Sequence, residues 1–82
     1  MTTEKISELV DGLASDLKSE VAKIESGIKT TQNNYGKYMN LISMLSKGNK
    51  NMAIILATAF KRAGANVLGV NSAMRVLGYG SN

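Results

Sequence analysis

An apolar stripe with alternating three- and four-residue spacing, in a chain without a single proline, is the strongest constraint on this fold. The stripe runs Ile6, Val10, Leu13, Leu17, Val21, Ile24, Ile28, the narrow seam of an amphipathic helix. Thr2 or Thr3 can cap it, with Glu4 in the first turn against the helix dipole. The stretch Thr30-Thr31-Gln32-Asn33-Asn34-Tyr35-Gly36 has the composition of a loop. Yet Thr31, Tyr35, Tyr38 or Met39, Ile42 and Leu45 continue the stripe in phase, and a loop would usually reset it. The pattern therefore predicts one helix over about 4–46, kinked near Asn34–Gly36. Two helices with a short break are the alternative.

Lys47-Gly48-Asn49-Lys50-Asn51 carries the chemistry of a turn: a cation for a last helical turn, a glycine for a left-handed C′ position, and an asparagine to cap the next helix. A second helix is predicted over about 51–77. At about 100° per residue, Met52, Ile55, Leu56, Ala59, Ala63, Val67, Val70, Ala73, Met74 and Leu77 share one broad arc. Lys50, Lys61 and Arg75 line up on the opposite side, with Ala57, Gly64 and Ser72 between them and Arg62 alongside. Gly64 and Gly69 weaken this helix, but the alanines around them let helices approach closely. Residues 78–82 read as a tail.

The fold class expected is all-α: an antiparallel helical hairpin with a long helix over about 4–46, a turn at 47–50 and a helix over about 51–77, residues 1–82 forming a single domain. The first helix would be about 65 Å long and the second about 40 Å. Folded back, the second covers only about residues 20–46, so Ile6, Val10, Leu13 and Leu17 lack a partner within the chain. An isolated two-helix hairpin also cannot bury Leu41, Met44, Phe60 and the broad arc together, which leaves Ala59, Ala63, Val67 and Val70 of that arc for a neighbour. These eight residues are the candidate subunit contacts. Offset apolar surfaces of this kind make rings or open helical arrays.

Charge divides the chain. Residues 1–25 hold all six acids against Lys5, Lys18 and Lys23, a net of −3, whereas residues 26–82 hold seven cations and no acid, a net of +7. Such asymmetry points to two environments, one of them polyanionic. The candidate nucleic-acid-facing residues are Lys50, Lys61, Arg62 and Arg75, and binding through them would be independent of sequence and sensitive to salt. An ordinary solvated basic face is the alternative. Tyr79, in the tail near Arg75, is a candidate for stacking on a base; Tyr35 and Tyr38 are read as core.

Chemistry is otherwise sparse. The chain has no His and no Cys, so the commonest general base, the commonest metal ligand and all disulfides are absent. Glu4, Glu8 and Asp11 share a polar face and read as surface rather than as a cation site. Gly64 and Gly69 are followed by Val70 rather than the Lys-Ser/Thr of a phosphate loop. Met39, Met44, Met52 and Met74 read as adaptable core filler. No enzyme, cofactor or metal site is expected. The N-terminus lacks the basic and apolar regions of a secretory signal. The apolar run Met52–Phe60 falls short of the ~20 residues of a membrane span.

An acidic amphipathic N-terminal helix, an Ala/Gly-rich apolar middle and a basic C-terminal part resemble the layout of the major coat proteins of filamentous phages. The Gly48 turn and the lack of a leader and a spanning run are closer to the small two-helix coat proteins of rod-shaped or bacilliform archaeal viruses. The resemblance implies a homopolymer enclosing nucleic acid in a virion made in the host cytoplasm. Lys61, Arg62 and Arg75 would then face the genome, and Glu4, Glu8 and Asp11 the outside. Two further readings are a secretion-system needle or pilus-like filament subunit, and a membrane-active bacteriocin-like peptide built on the basic second helix.

Overall fold

The computed structural model describes residues 3–27 and 31–80. Thr2 and Ile28, assigned above to a cap and to the seam, lie outside the described residues, as does the side chain of Thr31. The chain is all-α. Among the described residues it forms four helices: α1 (Thr3–Gly27), α2 (Thr31–Ser46), α3 (Lys50–Arg62) and α4 (Val67–Val76). α1 packs chiefly on α3 and α2 on α4, while α3 also touches both α2 and α4.

The single long helix is corrected in favour of the alternative, two helices, and a carboxylate shows why. Glu25 Oε2 accepts hydrogen bonds from Asn34 Nδ2 at 2.9 Å and from the Tyr38 hydroxyl. Residues nine and thirteen apart on one straight helix stand roughly 14 and 20 Å apart along its axis, so the chain must fold back between Glu25 and Asn34. Asn34–Gly36, where a kink was expected, lies inside α2. The longest dimension of the molecule, 37 Å, is far short of the 65 Å rod.

The second long helix is also divided. Gly64, at φ 101°, takes a left-handed conformation that costs other residues roughly 1–2 kcal/mol. Around it stands a Schellman motif: Ala65 N donates to Phe60 O at 2.9 Å and Gly64 N to Lys61 O at 3.2 Å. Asn66 then caps α4 by accepting from Gly69 N at 3.0 Å. At the preceding turn the expected left-handed glycine and capping asparagine are both found, with Asn49 N donating to Ser46 O at 2.9 Å. Gly48 has φ 80°, and Asn49 caps α3 by accepting from Met52 N at 2.9 Å. Lys47 stands just past the end of α2 rather than in its last turn, at φ 52°.

Both breaks have the same consequence: the core closes within one chain. Val21 and Ile24 of α1, Tyr38 and Ile42 of α2, Leu56 and Phe60 of α3, and Val70 and Met74 of α4 form one buried cluster. The seam of α1 is as read. Val10 is buried, and Leu13 and Leu17 pack against the cluster. The stretch expected to overhang is therefore covered by α3, leaving Ile6 exposed at its end. The seam of α2 differs from the expected one. Its buried row is Asn34, Tyr38, Ile42 and Ser46, spaced by four, while Tyr35 and Leu45 are exposed. Of the methionines, Met74 is buried, Met39 and Met52 pack against the cluster, and Met44 is exposed.

Candidate nucleic-acid interface

The cations of the acid-free part come from different helices. Lys50 and Lys61 lie eleven residues apart on α3, about 16 Å of rise and nearly the same angle. Arg75 lies on α4. Instead of forming a row on one helix, Lys61 and Arg75 line a single open groove of about 370 Å³ between α3 and α4. Its apolar floor includes Ala57 and Met74, and its polar lining includes Asn71 and Tyr79. Among the described residues, no acidic side chain lines it. Arg75 also borders a second groove, of about 400 Å³, with Tyr35, Ser72 and Val76. Lys50 is exposed at the first residue of α3 and lines neither groove.

Arg62 is placed differently. Its Nη1 donates to Asp11 Oδ1 of α1 at 2.7 Å, with both side chains largely exposed. Such a pair is worth at most about 1 kcal/mol, but it holds the guanidinium toward the acidic helix. Glu4 and Glu8 are exposed on that helix. Among the described residues, no group of three His, Cys, Asp or Glu is placed to hold a metal ion, and no helix is long and apolar enough to cross a membrane.

The candidate packing residues separate into two sets. Val10, Ala59 and Val70 are buried in the chain's own core, and Leu13, Leu17 and Ala63 pack against it. Val10, Ala59 and Val70 thus have almost no exposed surface, whereas Leu13, Leu17 and Ala63 keep part of theirs. Ile6 and Val67 are exposed. Sequence periodicity missed Leu68 and Val76, which are 68% and 62% exposed on α4. It also missed Tyr35, 40% exposed beside Arg75.

Glu25 is the one acid drawn into the interior. Besides Asn34 and Tyr38 it accepts from the backbone N of Asn66, at 3.5 Å, at the start of α4. A carboxylate there also meets the positive end of that helix dipole. Asn34 has to turn its amide nitrogen toward the carboxylate, which leaves its buried Oδ1 without a partner among the described residues. Burial first, and then the Glu25 carboxylate, push the Tyr38 hydroxyl well above the ordinary tyrosine range. Because the folded value lies above the unfolded one of about 10, the stabilisation is complete below that pH. It is lost as pH rises beyond it. Urea titrations of wild type and Tyr38→Phe should therefore diverge above about pH 10, with the wild type losing up to about 1.4 kcal/mol more per pH unit. Parallel curves would contradict this linkage.

Compared with known proteins, the chain matches no family model, no curated protein and no solved structure.

Proposed function

We propose that this chain is a non-enzymatic structural subunit that binds nucleic acid without sequence specificity and assembles with copies of itself, as the major coat protein of a virus does. The observation that carries the reading is the groove in which Lys61 and Arg75, from two helices, face one space that no acidic side chain among the described residues lines. Point cations on an open groove meet phosphates independently of base identity. Each copy neutralises only a few phosphates, so retention depends on many copies along one polymer. The membrane-active reading is weakened, because its long basic helix is divided into α3 and α4.

Support for assembly rests on α4. Val67, Leu68 and Val76 leave three large apolar side chains more than half exposed on a helix of ten residues. Leu68 and Val76 stand about 80° apart around the helix, while Val67 faces about 180° from Val76. Leu68, the most exposed of the three, is the strongest candidate for a contact of the kind exposed apolar side chains mark. Assembly through it needs no unfolding of the four-helix core, unlike assembly through the α1 seam.

Negative-stain electron microscopy of the purified protein, with co-purifying nucleic acid measured on the same sample, tests the proposal. Regular rods or filaments holding nuclease-protected nucleic acid are expected. Monomers that carry no nucleic acid at low salt would overturn it. Leu68→Glu is expected to disperse the assemblies into small species with an unchanged helical circular dichroism spectrum. Filaments that persist in this variant would remove α4 from the subunit contact.

A further inference from the structure

The geometry points to single-stranded nucleic acid as the ligand of the Lys61–Arg75 groove, with one base lying on Tyr79. This rests on the polyanion reading above and adds strandedness to it. A duplex keeps its bases stacked inward and offers phosphates to a surface; a single strand offers phosphates and free base faces together. Proteins that hold single strands combine cations along the backbone with aromatic faces on which bases stack. Here Tyr79 lines the groove beside Lys61 and Arg75, and Tyr35 lines the adjoining groove on Arg75's other border. Two tyrosines and two cations therefore line two depressions that share Arg75. Each depression has a volume suited to a small-molecule-sized group, within the ~300–1,000 Å³ typical of ligand clefts.

The placement of Tyr79 is built rather than incidental. After α4 the chain turns at Gly78, at φ 85°, in a second Schellman motif. Gly78 N donates to Arg75 O at 3.1 Å and Tyr79 N to Met74 O at 2.9 Å. Gly80 N then donates to the same Met74 carbonyl at 3.1 Å. Gly80 lies so close to α4 that a Cβ on it would stand 3.2 Å from Arg75 Cα. The tail is thus folded back against the end of α4, with Tyr79 packed against the core cluster and also lining the groove. A ring held in this way stacks on a base without first losing side-chain freedom.

The test is fluorescence anisotropy with a labelled oligothymidylate, a duplex of the same length and inorganic polyphosphate, on wild type, Tyr79→Leu and Tyr79→Phe. Leucine keeps the apolar packing of the ring's buried side and removes the stacking face. The wild type is expected to bind the single strand on the order of ten-fold more tightly than the duplex. Tyr79→Leu is expected to lose that advantage while duplex and polyphosphate binding stay unchanged, and Tyr79→Phe to retain it. Tyr35→Ala, at an exposed position that does not threaten folding, is expected to weaken single-strand binding alone and by a smaller factor. Equal affinity for single strand and duplex, or a Tyr79→Leu protein that binds oligothymidylate as the wild type does, would overturn the single-strand assignment and leave the polyanion reading standing. Binding to none of the three probes would overturn the polyanion reading itself.

Discussion

Phe60→Ala is expected to destabilise the chain by about 3–5 kcal/mol and to lower its melting temperature by on the order of 20 °C. Phe60 has no solvent exposure and belongs to the buried cluster to which all four helices contribute. Its ring meets the Tyr38 ring edge-on, with centroids 5.3 Å apart and planes at 64°. Its carbonyl accepts the Ala65 bond that turns the chain from α3 toward α4. Truncation removes the largest apolar side chain of α3 and leaves a cavity beneath Tyr38, whose hydroxyl has to stay fixed on Glu25. A domain of this size holds a net stability of only about 5–10 kcal/mol, so much of that margin would go. The measurement is urea and thermal unfolding at low protein concentration, with Tyr35→Ala as the exposed control. The control should cost far less than Phe60→Ala, because Tyr35 is 40% exposed. If Phe60→Ala were equally mild, the core would not close within one chain as described. If its effect disappeared as protein concentration rose, the core would be shared between copies.

That contrast between Phe60 and Tyr35 also marks what the sequence makes legible. The α1 seam is readable because nearly every position in it is apolar: Val10, Leu13, Leu17, Val21 and Ile24 all reach the core or pack against it. The α2 seam is not, because two of its four buried positions are Asn34 and Ser46. Hydrophobic periodicity cannot register a buried amide. Its partner, Glu25, becomes a neighbour only once the chain has folded back. With Asn34 and Ser46 discounted, Tyr35 and Leu45 fill the pattern in their place, and an illusory phase runs through Thr30–Gly36.

The break in the second helix was visible and overridden. Gly64-Ala65-Asn66 repeats the logic of Gly48-Asn49, a left-handed glycine and then a capping asparagine. The apolar arc nevertheless continues across it, because a Schellman motif favours an apolar residue just beyond the glycine, and Ala65 is buried. The error in length then propagated. Two long rods imply an overhang and an obligatory neighbour, whereas four shorter helices cover the seam themselves. The cations were legible as a group but not as a site. Lys61 and Arg75 share a groove because α3 and α4 are separate helices packed on each other, and Arg62 leaves the group because Asp11, fifty-one residues earlier, holds it.

Replacing Lys61 and Arg75 together by glutamate is expected to leave the four helices intact and to weaken nucleic-acid binding at low salt by about 100-fold or more. Arg75 is exposed, Lys61 is only partly covered, and neither belongs to the ion pair that joins α1 to α3. Reversal should therefore act on the groove rather than on the fold. Reversal also adds repulsion, so the neutral pair Lys61→Gln with Arg75→Gln gives the cleaner measure. Each phosphate neutralised contributes about 0.7 to the salt slope on a single strand and about 0.9 on a duplex. If each cation meets one phosphate, the slope should fall by about 1.4 to 1.8. Arg62→Gln is the discriminating control. Its guanidinium is drawn toward Asp11, so its loss should cost at most about 1 kcal/mol of stability and leave the salt slope nearly unchanged. If Arg62→Gln lowered the slope as much as the paired substitution, basic charge would act as a diffuse field over α3. If the paired substitution changed neither slope nor affinity, the groove would carry no phosphate, and the net charge of residues 26–82 would have to act elsewhere.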